Sequence, residues 1–526
     1  MKNESCNIWI KRTVRLIVVF AILLVLFGSG CSSVSPKLQD EYIRDGLSQG
    51  MHSFFDKYRQ LYPEMMAKDK IPGISVALVD RDGILWAAGF GYTDYNRKTP
   101  VTRDTIFAIA SMSKPITAVA VMVAVQDGLL DLDVPIIEYL PQFTVNSRFE
   151  ENPHKKITLR HLLSHTSGMA NEAPIGNSRE ISYGSLEEHV MSVSDTWLRH
   201  KVGERYTYSS LGYNLVAYII QVQSGLPFAK YVEDKVFTPL QMSNCSLDPE
   251  FIKNHPNRAV GHMPFIKQVP LVMDVPNAGD GGVYASANGL AQFVRFFLNG
   301  GKVDGQTVLD EDLITSMYNN NGLAVSDYNK NYLLGHSGST MGFISYMYWF
   351  PEYEIGYVYL MNALNRIPSV RILFGISDLI DDNLVQKKRS LEIPWVEYPT
   401  WQPPDPNSFT RFKPEWKKYI GTYRFFHKGW KLGIHIRIAL ALGLTFDATH
   451  LKVFEKDGYL YVNSMGRYIG DSDSGPLALD EHVPGLFFTS TGKCLDLRGP
   501  KFTWQNYRMK KVDDDNSGKF HINLVP

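Results

Sequence analysis

The chain of 526 residues predicts an α+β fold, in which an antiparallel sheet with flanking helices and an all-helical lobe precedes a small C-terminal antiparallel β-barrel. Two apolar segments flank a short turn between Gly73 and Gly91, a pattern typical of a β-hairpin. A long apolar stretch begins at Pro115 and predicts a buried helix. Past a proline-rich stretch, short strand-like segments alternate with turns. The length exceeds that of a single hydrophobic core, so more than one domain is expected.

The first 31 residues predict an export signal. Basic residues precede an unbroken apolar run from Leu16 to Phe27, which is shorter than the roughly 20 residues that a spanning helix needs. The small residues that follow, and then Cys31, resemble a bacterial lipoprotein signal. We therefore expect residues 1–31 to be an export or lipoprotein-type signal, with lipidation of Cys31 and membrane attachment in the cell envelope. An uncleaved anchor and ordinary cleavage are the alternatives.

The region 38–393 predicts the sheet and helices of the first domain. Residues 38–70 predict a helix, because Phe54, Phe55, Tyr58 and Leu61 fall on one face. Three further elements are expected: a hairpin of Gly73–Asp80 and Ile84–Gly91, a helix over Leu290–Leu298, and a strand over Ser345–Met361. This order predicts an antiparallel sheet with a helical lobe.

Ser111 and Lys114 place a hydroxyl nucleophile and an amine three residues apart at the start of the predicted buried helix. Positions three apart share a helix face, so the amine can reach the serine oxygen and take its proton. The helix N-terminus also favours negative charge that develops near Ser111. Ser490 and Lys493 have the same spacing but lie in a glycine-containing turn. The alternative is that Ser111 only caps the helix and that Lys114 is a solvated side chain.

Two further segments could complete such a site, Tyr206-Thr207-Tyr208-Ser209-Ser210 and His336-Ser337-Gly338-Ser339. Together with Ser111 and Lys114 they resemble the three motifs of the serine β-lactamase and penicillin-binding protein family, especially its class C and esterase-like branch. Supporting matches occur in the family's order from about residue 70 to 380. The resemblance implies a β-lactamase/transpeptidase-like fold and a serine hydrolase domain over residues 38–393.

The resemblance also implies a role for each motif residue. Ser111 would form an acyl-enzyme, with Lys114 and Tyr208 sharing the proton transfers. The backbone N–H groups of Ser111 and Ser339 would form the oxyanion hole. The imidazole of His336, at the start of the third motif, would line the pocket and help to orient the substrate or Tyr208. The residues assigned to the substrate and oxyanion pocket are His336, Gly338, Ser339 and Ser210.

Two departures from the β-lactamase pattern bear on the substrate. Ser210 stands where class C β-lactamases have the Asn of Tyr-x-Asn, so the amide that recognises a β-lactam side chain is missing. The third motif begins with His336 in place of Lys, and a mostly neutral imidazole binds a carboxylate less firmly than an ammonium does. The expected substrate is a small peptide, D-amino-acid peptides included, or an ester, with weak or absent β-lactamase activity. Two alternatives stay open: a catalytically silent envelope binding or scaffolding lipoprotein, and a true class C-like β-lactamase.

No metal or organic cofactor is expected. His161 and His165 are four residues apart and could face one another on a helix, but no Glu follows in the metalloprotease arrangement. The 54 basic and 54 acidic residues balance, so nucleic-acid binding is not expected. Cys245 and Cys494 lie one in each predicted domain, and a structural disulfide is not expected. The oligomeric state is open.

A proline-rich linker is predicted over residues 394–411, and the small β-barrel over residues 412–526. Leu432–Leu442 alternates at period two, as a strand does. The other strand candidates are Leu451–Phe454, Tyr459–Val462, Leu486–Thr489, Cys494–Leu497 and Phe502–Trp504. Similar appendages, lipocalin-like in shape, accompany some members of the family that the motifs resemble. Packing or oligomerisation is one interpretation of the barrel; an edge of the substrate pocket or a lipid-binding cavity is the other.

Overall fold

The computed structural model describes residues 36–96, 98–176, 184–263, 278–319, 321–328, 331–364, 378–391, 393, 409–425, 450–465, 477–489, 492–498, 502–504 and 507–512. The signal segment with Cys31, the strand predicted over Leu432–Leu442 and residues 394–408 of the predicted linker lie outside these ranges. In the part of the chain that is described, no helix is long and apolar enough to cross a membrane.

The helices are labelled α1 to α10 in chain order: Gln49–Asp69, Ser113–Gln126, Leu159–Leu163, Leu186–Met191, Ser210–Ser224, Phe228–Val232, Pro249–Asn254, Ala278–Gly281, Ala287–Leu298 and Glu311–Tyr318. Strands β1 to β12 are Leu38–Ile43, Gly73–Asp80, Gly83–Gly91, Phe107–Ala108, Cys245–Ser246, Tyr284–Ala285, Lys302–Val303, Gln306–Thr307, Ala324–Tyr328, Asn331–Thr340, Phe343–Phe350 and Ile355–Met361. Strands β13 to β20 are Gly421–Phe425, His450–Lys456, Tyr459–Met465, Leu477–Val483, Leu486–Thr489, Cys494–Asp496, Phe502–Trp504 and Tyr507–Val512.

Seven strands form one antiparallel sheet in the order β1-β3-β2-β12-β11-β10-β9. The predicted hairpin is confirmed as β2 and β3. The single strand predicted over Ser345–Met361 is two strands, β11 and β12, because a turn at residues 351–354 separates them. At the centre of the sheet β12 pairs with β2, so that Tyr359 lies opposite Val76. The sheet therefore joins the beginning and the end of this domain.

The prediction of a helix over residues 38–70 is wrong for the first part of this range. Residues Leu38–Ile43 form the edge strand β1, which pairs with β3. The helix α1 begins only at Gln49, where the Ser48 hydroxyl accepts the Met51 N–H at 3.3 Å. The hydrogen bonds of an edge strand come from a partner far along the chain, and the local pattern of apolar residues cannot report them.

The two faces of the sheet bury different layers of the protein. Successive side chains of a strand point to opposite faces. In β2, Val76 and Leu78 pack in the cluster that contains Phe55 of α1, whereas Ala77 and Val79 pack in the cluster that contains α9 and the helical lobe, α2 to α6. The lobe thus covers the face of the sheet on which the sequence motifs meet.

The C-terminal strands β13 to β20 form a closed barrel, in which each strand pairs with the next and β13 pairs with β20. Its core contains Trp416, Tyr423 and Phe487, all of them buried. Five of these strands, β14, β15, β17, β18 and β19, coincide with segments that the sequence predicted. The α+β fold class with a small C-terminal barrel is confirmed.

The barrel contacts the helical lobe through β17 and the turn that follows it. The Arg148 guanidinium carbon lies 4.6 Å from the centre of the Phe488 ring, and the Trp197 ring lies 5.8 Å from the same ring. Gly492 approaches the Arg199 carbonyl oxygen so closely that a Cβ atom would lie 1.9 Å from it. These contacts support a packing role for the barrel.

Candidate active site

Ser111 lies in a tight 3-10 turn, Ala110–Met112, that runs directly into α2. Ala110 is in the left-handed region at φ +49°, a conformation that costs a non-glycine residue about 1–2 kcal/mol. The turn is held from both sides, because the Ile109 N–H donates to the Val283 carbonyl oxygen at 3.1 Å and the Ser345 hydroxyl donates to the Ile109 carbonyl oxygen at 2.8 Å. Residues far away in the sequence therefore fix the backbone that presents the Ser111 hydroxyl.

Lys114 lies on the first turn of α2, and its side chain is completely buried. Its Nζ atom lies 3.3 Å from Ser111 Oγ, 3.3 Å from Ser210 Oγ and 2.9 Å from the Asp280 carbonyl oxygen. Three acceptors match the three protons of an ammonium group and offset part of the cost of burying the charge. The Ser111 hydroxyl is thus within hydrogen-bond reach of the Lys114 nitrogen.

Asp280 is a buried residue beside Lys114 that the sequence motifs did not reveal. Its Oδ2 atom lies 3.7 Å from Lys114 Nζ, and its Oδ1 atom has no hydrogen-bond partner among the residues that the structure describes. Asn214 of α5 holds this segment, since its Oδ1 atom accepts the backbone N–H groups of Gly279 at 3.2 Å and Asp280 at 3.1 Å. The available signal was an acidic side chain within Ala-Gly-Asp-Gly-Gly, where no other side chain is large.

Tyr208 lies in the loop before α5, and the structure brings it to the same place as Lys114. The loop is fixed by Ser209, whose hydroxyl caps α5 by accepting the Gly212 N–H at 3.1 Å. The Lys114 Nζ atom lies 5.0 Å from the centre of the Tyr208 ring, a separation at which a cation and an aromatic ring attract one another. The phenol therefore lies beside the amine that contacts Ser111.

His336 carries a neutral imidazole near Tyr208. Its Nδ1–H group donates to the Ser337 carbonyl oxygen at 2.6 Å, so the lone pair lies on Nε2. Burial lowers the pKa of His336 to about 4, and the positive charge of Lys114 adds to the effect. The His336 and Tyr208 ring centres are 6.4 Å apart. At pH 7 this imidazole can accept a hydrogen bond, but it offers no permanent positive charge to a substrate carboxylate.

The end of β10 has a free edge next to the Ser111 turn. Strand β9 pairs with β10 only as far as Gly335, so the last residues of β10 have no partner on that side among the described strands. Ser339 is exposed there, whereas Gly338 is buried, and a Cβ atom at Gly338 would lie 2.0 Å from the Ile109 carbonyl oxygen. Only glycine permits this approach. The segments that contain Ser111 and Ser339 are therefore adjacent.

Ser210 is the first residue of α5, and it contacts the lysine of the site. Its hydroxyl lies 3.3 Å from Lys114 Nζ, and its backbone N–H donates to Asn171 Oδ1 at 3.0 Å. A hydroxyl can take the place of an amide as a partner of the lysine. It does not present the two donors and the carbonyl with which an amide binds an acyl side chain.

The two histidines considered as metal ligands have other partners. The Nδ1 atom of His161 lies 2.9 Å from Thr158 Oγ1, in the cap of α3, and the Nδ1 atom of His165 accepts the Ser209 N–H at 3.1 Å. In the described ranges, no group of three or more His, Cys, Asp or Glu residues could hold a metal ion.

Comparisons with known proteins agree with this geometry. The model of the beta-lactamase family matches residues 58–376. Protein flp of Staphylococcus aureus (strain COL) is 26% identical over 315 residues, which cover 56% of this chain and 61% of that protein. Esterase EstB of Burkholderia gladioli is 31% identical over 191 residues, which cover 34% of this chain and 48% of that protein. The chain therefore spans about half to three fifths of the length of these curated relatives.

Solved structures are also similar to this chain. The octameric penicillin-binding protein homologue from Pyrococcus abyssi has a TM-score of 0.54 and 21% identity, with 86% of this chain and 99% of that chain covered. A likeness at this level of identity shows the fold alone. The β-lactamase/transpeptidase-like fold implied by the sequence motifs is confirmed.

Proposed function

The chain belongs to the beta-lactamase family, and on this basis we propose that it is an exported serine hydrolase that cleaves a small ester or peptide through an acyl-Ser111 intermediate. The observation that carries the proposal is the position of Lys114 Nζ, which is fully buried and 3.3 Å from Ser111 Oγ. Taking a charged lysine side chain out of water costs on the order of several kcal/mol. A nucleophile within reach of an amine that can become its base is what covalent catalysis requires.

The proposed acylation step uses three side chains. The Ser111 hydroxyl proton moves to the Lys114 amine while Ser111 Oγ bonds to the carbonyl carbon of the substrate. The carbonyl electron pair moves to oxygen, and the N–H groups of Ser111 and Ser339 stabilise the oxyanion. As the tetrahedral intermediate collapses, the alcohol or amine leaves with the proton, which passes from Lys114 through the Tyr208 hydroxyl. Water then attacks the acyl carbon and gives a proton to the same groups. The bond between the acyl carbon and Ser111 Oγ breaks, the carboxylic acid leaves, and the proton passes to Ser111 Oγ.

The substrate class is proposed from the two motif positions that differ from class C β-lactamases. The imidazole of His336 is neutral at pH 7, and Ser210 contacts Lys114 without offering an amide to an acyl side chain. Both features favour an ester or a small peptide, D-amino-acid peptides included, over a β-lactam. The similarity to an esterase supports the same choice.

We expect the protein to hydrolyse a chromogenic short-chain ester, and Ser111→Ala to lose roughly 10³-fold or more of that activity, as other serine hydrolases do when the nucleophile is removed. Nitrocefin, assayed beside the ester, should be hydrolysed slowly. Ester turnover that persists in Ser111→Ala would contradict the proposal. Rapid nitrocefin hydrolysis that depends on Ser111 would indicate a true β-lactamase, and tight binding of an envelope ligand without turnover would indicate a silent binding protein.

We propose further that the enzyme works in the cell envelope, attached to the membrane through a lipid on Cys31. Basic residues, a short apolar run and small residues before Cys31 support this location. We expect the N-terminal peptide of protein made in a bacterial host to begin at Cys31 and to carry the mass of the lipid. Cys31→Ala should leave the chain unlipidated. A mature chain that begins at another residue would rule out lipidation.

A further inference from the structure

His165 is buried beside the proposed catalytic residues but takes no part in the steps described above. It lies just after α3 in the left-handed region, at φ +59°, and is 6% exposed. A residue other than glycine seldom adopts this conformation. Such a conformation persists only where the surrounding structure determines it, so the contacts of His165 indicate what it does.

The first observation is that His165 binds the backbone on both sides of Tyr208. The Thr207 N–H donates to the His165 carbonyl oxygen at 2.7 Å. The Ser209 N–H donates to the His165 Nδ1 atom at 3.1 Å. One residue thus accepts from the residue before Tyr208 and from the residue after it. Because Nδ1 is an acceptor, the proton of the neutral imidazole lies on Nε2.

The second observation is that the imidazole packs on the Tyr208 ring itself. The ring centres are 4.5 Å apart, with an angle of 34° between the planes. The same imidazole lies 5.2 Å from the ring of Tyr213. Tyr213 is buried on α5 and donates its hydroxyl to the Leu163 carbonyl oxygen at 2.8 Å. His165 therefore connects Tyr208 to a firmly packed part of the lobe.

We propose that His165 is a positioning residue, which holds the Tyr208 phenol beside Lys114 by binding the chain on both sides of it and by packing an uncharged ring against it. The inference rests on the proposed function of Tyr208 in proton transfer. The Lys114 Nζ atom lies only 5.0 Å from the centre of the Tyr208 ring. A displacement of about 1 Å in a catalytic group can cost on the order of 10²-fold in rate.

The imidazole has to stay uncharged for this role, because a protonated Nδ1 cannot accept the Ser209 N–H. Burial lowers the pKa of His165 well below its ordinary value, and the positive charge of Lys114 adds to this. The titratable groups that face the ring are Lys114, His336, Tyr206, Tyr208 and Tyr213. The hydrogen bond to Ser209 is therefore kept throughout the neutral pH range.

A double-mutant cycle on ester hydrolysis tests the proposal. We expect His165→Ala to lower kcat/KM by about 10²-fold, and the double variant with Tyr208→Phe to be no slower than Tyr208→Phe alone, since His165 acts only through the phenol. His165→Asn should recover part of the loss, because Asn tolerates the left-handed region and offers an acceptor. If His165→Ala lowers kcat/KM in the Tyr208→Phe variant by the same factor as in the wild type, the role of His165 is structural and the proposal is overturned.

His161→Ala is the matched control for this cycle. His161 lies four residues earlier and contacts Thr158. The decrease in kcat/KM in the double variant of His161→Ala and Tyr208→Phe should therefore equal the product of the decreases in the two single variants. A control that behaves like His165→Ala would show that any change in this segment acts on Tyr208. That result would also overturn the specific role of His165.

Amide hydrogen exchange supplies a measurement that does not need turnover. We expect a peptide that contains Thr207 and Ser209 to exchange faster in His165→Ala than in the wild type, with His165→Asn in between, at a temperature where all three stay folded. Unchanged exchange would overturn the inference even in an inactive protein. Turnover that persists in Ser111→Ala would instead contradict the proposed function, and the exchange result would still decide on His165.

Discussion

Lys114→Met is expected to reduce kcat for ester hydrolysis by up to about 10⁴-fold, the upper range for the loss of a general base. Methionine is of similar length and fills the same buried space, but it has no amine to accept the Ser111 proton. The variant also removes the nitrogen atom that contacts the Ser210 hydroxyl and the Asp280 carbonyl oxygen. Steady-state kinetics with a chromogenic ester measure the effect, and KM should change far less than kcat.

Lys235→Met provides the matched control for this variant. Lys235 forms an exposed ion pair with Asp127, with Nζ 2.8 Å from Oδ2, and exposed pairs contribute about 1 kcal/mol or less to stability. We expect its kinetics to equal those of the wild type. A Lys114→Met enzyme that kept a tenth of the wild-type kcat would show that another group accepts the Ser111 proton.

Gly338→Ala is expected to lower kcat by about 10²- to 10³-fold, the range seen when an oxyanion-hole donor is lost or a reacting group is displaced. The added Cβ would lie 2.0 Å from the Ile109 carbonyl oxygen and 2.4 Å from Ser345 Oγ. The Ile109 contact is with backbone, so β10 and the Ser111 turn would have to move apart. The rate at which a fluorophosphonate labels Ser111 should fall together with kcat.

Gly212→Ala is the control for the added methyl group. Gly212 lies near the site in α5, and a Cβ there would meet no atom closer than 3.5 Å, an ordinary contact. We expect full activity and an unfolding temperature that is equal or higher, since alanine is favoured over glycine in a helix by about 1 kcal/mol. Wild-type activity in Gly338→Ala would mean that the close packing of β10 on the turn is not needed for catalysis.

The sequence pattern correctly predicted the elements whose structure depends on one continuous segment of the chain. Strands β2 and β3 follow from two apolar runs around a turn, and α1 buries Phe54, Phe55 and Tyr58 as its helical period requires. The strand β1 was predicted as helix, because its structure depends on pairing with β3. The barrel strands β13, β16 and β20 were missed as well, since they are defined by neighbours that the sequence does not identify.

The candidate site shows the same division. Ser111, Lys114 and Tyr208 could be named because each stands in a motif that resembles a known one. Asp280 could not, because its position 3.7 Å from Lys114 Nζ arises only when the lobe has folded. The spacing of His165 from His161 carries no information about the loop on which the His165 ring packs.

The Ser111 turn depends on a contact with a strand from much later in the chain, so the protein becomes active only late in folding. The Ser345 hydroxyl reaches the Ile109 carbonyl oxygen across 236 residues of sequence. Contacts between such distant segments form slowly, since the chain between them must first be ordered. A chain emerging from the ribosome would hold an inert serine until its late strands dock. A covalent serine probe would therefore label only molecules in which these strands have docked. The yield of labelled protein would measure the fraction of a preparation that has completed folding.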